Sequence, residues 1–154
     1  MAALREELAR HRRAVILQVG VLLRRDFAQT RYLKYGAAIR KFRERYPDED
    51  YWVVFRRKYH SSDVEDRHEV DPVDRARRAF SDYCDTVLLL GDGGLITKVL
   101  KKGAVDFLHD TIWKLEIARD KDFDKTRFDR LWELYDLPRP PHPPFPESDK
   151  KQPA

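Results

Sequence analysis

One cysteine in 154 residues, Cys84, leaves no internal disulfide to form. A small folded domain without disulfides suits a reducing, intracellular setting, cytoplasmic or organellar. Long apolar runs are missing as well: the longest, Ala14 to Leu23, covers ten residues and includes Gln18 and Gly20, about half of the ~20 residues a membrane-spanning helix needs. No small-residue cleavage pattern follows it, and Glu6, Glu7 and Asp26 oppose a mitochondrial presequence despite Arg10, Arg12 and Arg13. No cleaved leader is therefore expected.

The chemistry-bearing motifs are just as sparse. Gly91-Asp92-Gly93-Gly94 lacks the lysine and Ser/Thr of a phosphate loop, and no strand precedes it, so it reads as a turn between helices. His60, Asp63, Glu65, Asp66, His68, Glu69 and Asp71 crowd one segment, but no central glycine makes a calcium loop of it and no His spacing makes a zinc helix. That segment reads as a solvated acidic loop, with no metal expected. There is no Gly-x-Ser-x-Gly elbow, and His11, His109 and His142 lie on unrelated segments. Cys84 itself sits on an apolar stripe, where a small thiol is ordinary core material. Neither catalysis nor a cofactor has support, and a non-enzyme is expected.

What the chain does have is charge, unevenly placed. Its net charge is only +4, yet residues 1 to 58 hold 15 Lys/Arg against 7 Asp/Glu, a net of +8, and the remainder carries −4. The basic half, with Arg10, Arg12, Arg13, Arg24, Arg25, Arg31, Lys34, Arg40, Lys41, Arg43, Arg45, Arg56, Arg57 and Lys58, is the expected docking surface for an anionic partner. An acidic protein, within a larger assembly, is the leading reading. A nucleic acid is the alternative, because Tyr32, Tyr35, Trp52 and Tyr59 interleave with the cations, although they also fall on apolar stripes. Peripheral contact with an anionic membrane is a third source, set against the expectation that the first helix is needed as a core partner.

Apolar residues recur at three- and four-residue steps almost throughout. The first helix, residues 2 to about 28, carries a stripe of Leu4, Leu8, Val15, Val19, Leu22 and Phe27. Tyr32, Tyr35, Ile39, Phe42 and Tyr46 make a second helix that Pro47 ends, with Gln29 and Thr30 offering a break before it and Gly36 weakening its interior. Trp52, Phe55 and Tyr59 share a face after an acidic entry at Asp48 to Asp50; helix wins over strand there because no second strand exists to satisfy the backbone. Residues 61 to 70 have no period and are expected to form a loop. The next helix organises the chain: Asp71 caps it, Pro72 takes its first position, Val73, Ala76, Phe80, Tyr83, Val87 and Leu90 form its stripe, and Gly91 stops it. Leu95 to Leu115 continues as a helix packed antiparallel on it, with a joint at Gly103, and Asp124 caps a last helix stapled by Phe123 and Phe128. The result is an all-α irregular bundle of five or six helices over residues 1 to 137, large enough to bury roughly two-thirds of its unfolded surface.

Residues 138 to 154 form a proline-rich tail, expected to be polyproline II or disordered. Arg139, Pro140, Pro141, Pro143, Pro144 and Phe145 are its expected docking residues, as a linker or a strap on a partner with no core of its own to join. The residue three after Arg139 is His142 rather than proline, so no complete SH3-ligand consensus is present. Finally, Ala76-Arg77-Arg78, Phe80, Tyr83, Gly94-Leu95-Ile96, Ile112-Trp113, Leu115-Glu116, Phe128 and Leu131, spread over about residues 75 to 136, resemble an uncharacterised family of small helical proteins of unknown function. The proline that family carries near Ile117 is missing. The resemblance implies helices and supplies no catalytic residue.

Overall fold

A computed structural model describes the backbone of residues 2–27 and 30–145; side chains at positions 2, 23, 24, 26, 27, 30 and 31 are outside the described set. The expectations for Arg24, Phe27, Arg31, the break at Gln29 and the tail beyond Phe145 therefore lie outside the described residues. The described chain is all helical and contains no strand: α1 (Ala2–Phe27), α2 (Thr30–Arg45), α3 (Tyr51–Tyr59), α4 (Val64–Leu88), α5 (Gly93–Val99), α6 (Lys102–Phe107), α7 (Trp113–Arg119) and α8 (Asp129–Leu134), with a π-helical turn, Leu108–Ile112, between α6 and α7. Leu108 and Ile112 keep right-handed helical backbone, so α6, the π turn and α7 form one rod.

The centre of the fold is α4, which touches α1, α2, α3, α5 and the π turn. Val70, Val73, Ala76, Phe80, Tyr83, Cys84 and Val87 recur at helical spacing along it and are all buried. Against them pack Tyr32, Ile39 and Phe42 of α2, Val54 and Phe55 of α3, and Leu108 and Ile112 of the π turn. Beyond this layer Trp113, Phe123, Phe128 and Trp132 meet edge-on or tilted, with ring centroids 5.9 to 6.2 Å apart.

Four boundaries differ from the expectation, each for an identifiable reason. The segment 61–70 is helix, not loop: α4 begins at Val64, capped by Asp63, whose side chain accepts from the Glu65 amide at 2.8 Å. Pro72 therefore lies inside α4. Side chains with no apolar period still hold this turn, because Asp66 and Glu69 both pair with Lys58 of α3, at 2.6 and 3.0 Å, while Val70 is buried. The stretch from Leu95 breaks at Leu100, whose backbone is extended, rather than at Gly103. Asp124 makes a local turn with Thr126 (2.9 Å), and α8 starts later, at Asp129, although Phe123 and Phe128 are both buried and in ring contact as a staple requires. The turn after α4 follows the expectation: Gly91 adopts φ +70° and Asp92 caps α5 through the Leu95 amide at 3.0 Å.

The fourth difference is the largest. The described members of the expected α1 stripe, Leu4, Leu8, Val15, Val19 and Leu22, do not join the core. Gly20 is the buried position among the described residues of α1, and a Cβ there would lie 2.7 Å from Val99 Cγ2, so the missing side chain leaves room for α5 at that point.

Candidate functional site

Along α1 the side chains at 4, 8, 15, 19 and 22 face solvent: Leu8 is 62% exposed, Leu22 57% and even Val19 42%. Leu17 and Val21 are exposed on other faces. Arg5, Leu8, Ala9, Arg12, Arg13 and Ile16, with Leu90 to Asp92 and Leu95, line a groove of ≈ 700 Å³. Among the described residues of α1, Gly20 is buried, Ile16 half-buried and the others exposed. Leu8, Val15 and Leu22, seven residues apart and bordered by Leu4 and Val19, make an outward seam of the kind one helix offers another.

The structure splits the basic residues into three groups. Arg45 and Lys58 are neutralised within the domain by carboxylates: Glu69 accepts from Arg45 at 2.7 Å and from the Tyr46 hydroxyl at 2.6 Å, and pairs with Lys58 at 3.0 Å. Burial alone would raise the Glu69 carboxyl, but these hydrogen bonds outweigh it and hold the group at about 2. The Asp66 hydrogen bond, ahead of burial acting the other way, raises Lys58. Arg57 pairs with Glu49 at 3.1 Å and Arg10 with Glu6 at 3.2 Å. Arg43 and Arg56 lie over aromatic rings, of Tyr51 at 4.9 Å and Phe145 at 4.8 Å. Arg12, Arg13, Arg25, Arg40 and Lys41 are exposed and form no ion pair with a described residue. The basic half is therefore not one free surface, and its unpaired charge is concentrated on α1 and one face of α2.

The aromatics meant to interleave with those charges are occupied. Tyr32 is buried against Phe80 and Tyr83, Tyr59 stacks on Phe55 at 5.5 Å, and Lys114 sits 4.4 Å from the Trp52 ring. A second cleft, ≈ 620 Å³, is lined by Arg40, Arg43 and Lys114 but equally by Glu44, Glu49, Asp50 and Asp110. Its nearly balanced charge gives no strong field for an anion. The acidic segment is spent on structure, Asp63 as a cap and Asp66 and Glu69 as ion pairs. Burial raises the Cys84 thiol to about 12, far from thiolate chemistry at neutral pH.

The tail does find something to join. Pro140 and Pro143 are buried and Phe145 is half-buried against the core. Arg139 pairs with Asp129, and carbonyls of Pro138 and Pro144 accept from His109 Nε2 (2.9 Å) and Trp52 Nε1 (3.4 Å). Of the expected docking residues, Arg139, Pro140, Pro143, Phe145 and the Pro144 carbonyl are engaged on their own domain, while Pro141 is exposed.

Sequence reasoning missed one constellation. Arg77 is buried in α4, donating to Asp74 Oδ1 through Nε (2.9 Å) and Nη2 (2.8 Å) and to Glu116 Oε1 of α7 through Nη1 (2.7 Å). Ser81 donates to the same Glu116 oxygen at 2.5 Å, and Arg78 reaches Asp74 Oδ2 at 3.0 Å. The signal was present: Arg77 stands between Val73 and Phe80 on the apolar stripe, and Glu116 between Leu115 and Ile117. Every charge in this network has a local counter-charge, so it ties α4 to α7, although Glu116 Oε2 has no hydrogen-bond donor. No protein-family model, curated protein or solved structure matches the chain.

Proposed function

We propose that this chain is a non-enzymatic docking subunit whose α1 is laid against a helix of an acidic partner protein. One observation carries the reading: the described apolar stripe of α1 is exposed on a folded domain, bordered by arginines that form no ion pair with a described residue. Folded monomers rarely leave so many large aliphatic side chains exposed on one element. Leu4, Leu8, Val15, Val19 and Leu22 are each about half exposed, so covering them contributes on the order of 1 kcal/mol apiece. The heptad spacing of Leu8, Val15 and Leu22 fits a helical partner, and Arg12 and Arg25, which flank that seam, select carboxylates on it. No described helix is long and apolar enough to cross a membrane.

The test is affinity recovery of the tagged chain at low and high salt, beside a Leu8→Asp/Leu22→Asp chain that leaves the core untouched. A stoichiometric acidic protein, weakened by salt and lost with the double variant, is the expected result. The same protein held equally by both chains, or binding by both to mixed oligonucleotides or anionic vesicles alone, overturns the reading.

A further inference from the structure

The tail packs on its own domain away from α1. Residues 138–146 contain six prolines. Proline fixes its own φ and pushes the preceding residue to extended backbone, so this run is held near polyproline II before it touches anything. That conformation repeats every three residues, so positions i and i+3 share a face. Pro140 and Pro143 are such a pair, and among the described residues 138–145 they are the two buried prolines; Pro141 and Pro144 are exposed.

The domain reads the same segment through four fixed side chains. His109, on the π turn, has Nε2 2.9 Å from the Pro138 carbonyl, with its Nδ1 2.8 Å from Asp110 and its ring edge-on to Trp132. Asp129 of α8 takes the Arg139 guanidinium. On α3, Trp52 Nε1 donates to the Pro144 carbonyl at 3.4 Å, and one turn later the Arg56 guanidinium lies 4.8 Å from the centre of the Phe145 ring. Ring N–H donors on proline carbonyls, a carboxylate for the arginine and a seat for alternate prolines are what recognition of a polyproline helix requires.

We propose that Trp52, Arg56, His109 and Asp129 form a receptor groove for a proline-rich segment of another protein, of the form Arg-Pro-x-x-Pro-x-aromatic, which the chain's own tail fills in cis. The occupant in trans is a separate partner rather than the tail of a second copy. Tyr135 donates its hydroxyl to the Leu100 carbonyl, and the Leu137 amide donates to the Trp132 carbonyl at 2.9 Å. A tail exchanged between copies must tear out these anchors; a free ligand need not. The cis segment then acts as a tethered competitor, at an effective concentration set by the short connection from α8.

A fluorescein-labelled peptide of residues 137–146 is titrated by anisotropy into three full-length chains: wild type, a Phe145→Ala/Arg139→Ala chain with a weakened tail, and that chain with Trp52→Ala added. Binding is expected to be weak in wild type, about tenfold tighter in the released chain and about tenfold weaker again without Trp52. Peptides altered at Pro140 and Pro143 lose binding, whereas peptides altered at Pro141 and Pro144 keep it. Absence of saturable binding to the released chain, or equal loss from both proline pairs, overturns the proposal. So does unfolding of the released chain, since the tail is then core rather than ligand. A wild-type dimer abolished by Phe145→Ala assigns the groove to a second copy and overturns the separate partner.

Discussion

Replacing Arg77 by methionine is expected to cost far more than neutralising its partner Glu116. Arg77 is 5% exposed and Glu116 1%. Without Arg77, Glu116 keeps only the Ser81 hydroxyl on Oε1, while its Oε2 has no hydrogen-bond donor and the Arg119 Nε is 3.9 Å away. Asp74 is left with the exposed Arg78. Two buried carboxylates thereby lose their shared cation, which places Arg77→Met at about 3 to 5 kcal/mol. Glu116→Gln keeps the side-chain volume and an oxygen that accepts from Arg77 and Ser81. Arg77 stays paired with Asp74 through two nitrogens, so that change is expected to cost about 1 to 2 kcal/mol. Urea unfolding followed by circular dichroism at neutral pH, with equal slopes for all chains, measures both values. Arg77→Met costing less than about 1 kcal/mol, or Glu116→Gln costing as much as Arg77→Met, would refute the reasoning that the cation is the hub.

Two further outcomes are expected. The Glu69 carboxyl sits at about 2 in the folded chain against an ordinary 4.5, so its contribution is complete above pH ~4.5 and is lost as pH falls toward ~2. After screening by solvent it is worth about 1 to 2 kcal/mol, and Glu69→Gln should flatten the fall in Tm over that acid range; an unchanged slope would remove Glu69 from the acid response. Pro72→Ala restores an amide to the interior of α4 at an exposed position and should raise stability by about 1 kcal/mol, the regained hydrogen bond outweighing the freer unfolded chain. A lower Tm would show that the proline's restriction of the unfolded chain outweighs the regained hydrogen bond.

The fold was legible where periodicity and punctuation coincide. Between Val73 and Gly91 an apolar stripe ends on a glycine able to adopt φ +70°, and both signals are local. The first two turns of α4 were not legible, because their stability comes from Lys58 at the end of the preceding helix, eight residues before Asp66, reaching Asp66 and Glu69. Pro72 looked like a start signal because a proline is best tolerated at the first helical position; the ion pairs and the Asp63 cap override that preference. The late start of α8 has the same character: Asp124 has the right chemistry for a cap, but it spends its carboxylate on Thr126.

The exposed stripe of α1 and the proline tail were legible as composition and not as geometry. A stripe of leucines and valines identifies an amphipathic helix without naming what lies against it, and in α1 the missing Cβ at Gly20 lets Val99 approach. Among the described residues, Gly20 is buried and Ile16 half-buried, while Leu8, Val15 and Leu22 stay exposed. The tail poses the opposite problem. Its prolines announce a ligand, yet the receptor is assembled from Trp52, His109 and Asp129, which lie on three separate elements and share no local pattern. A sequence can display a ligand over nine consecutive residues; the groove that accepts it exists only after α3, the π turn and α8 have packed.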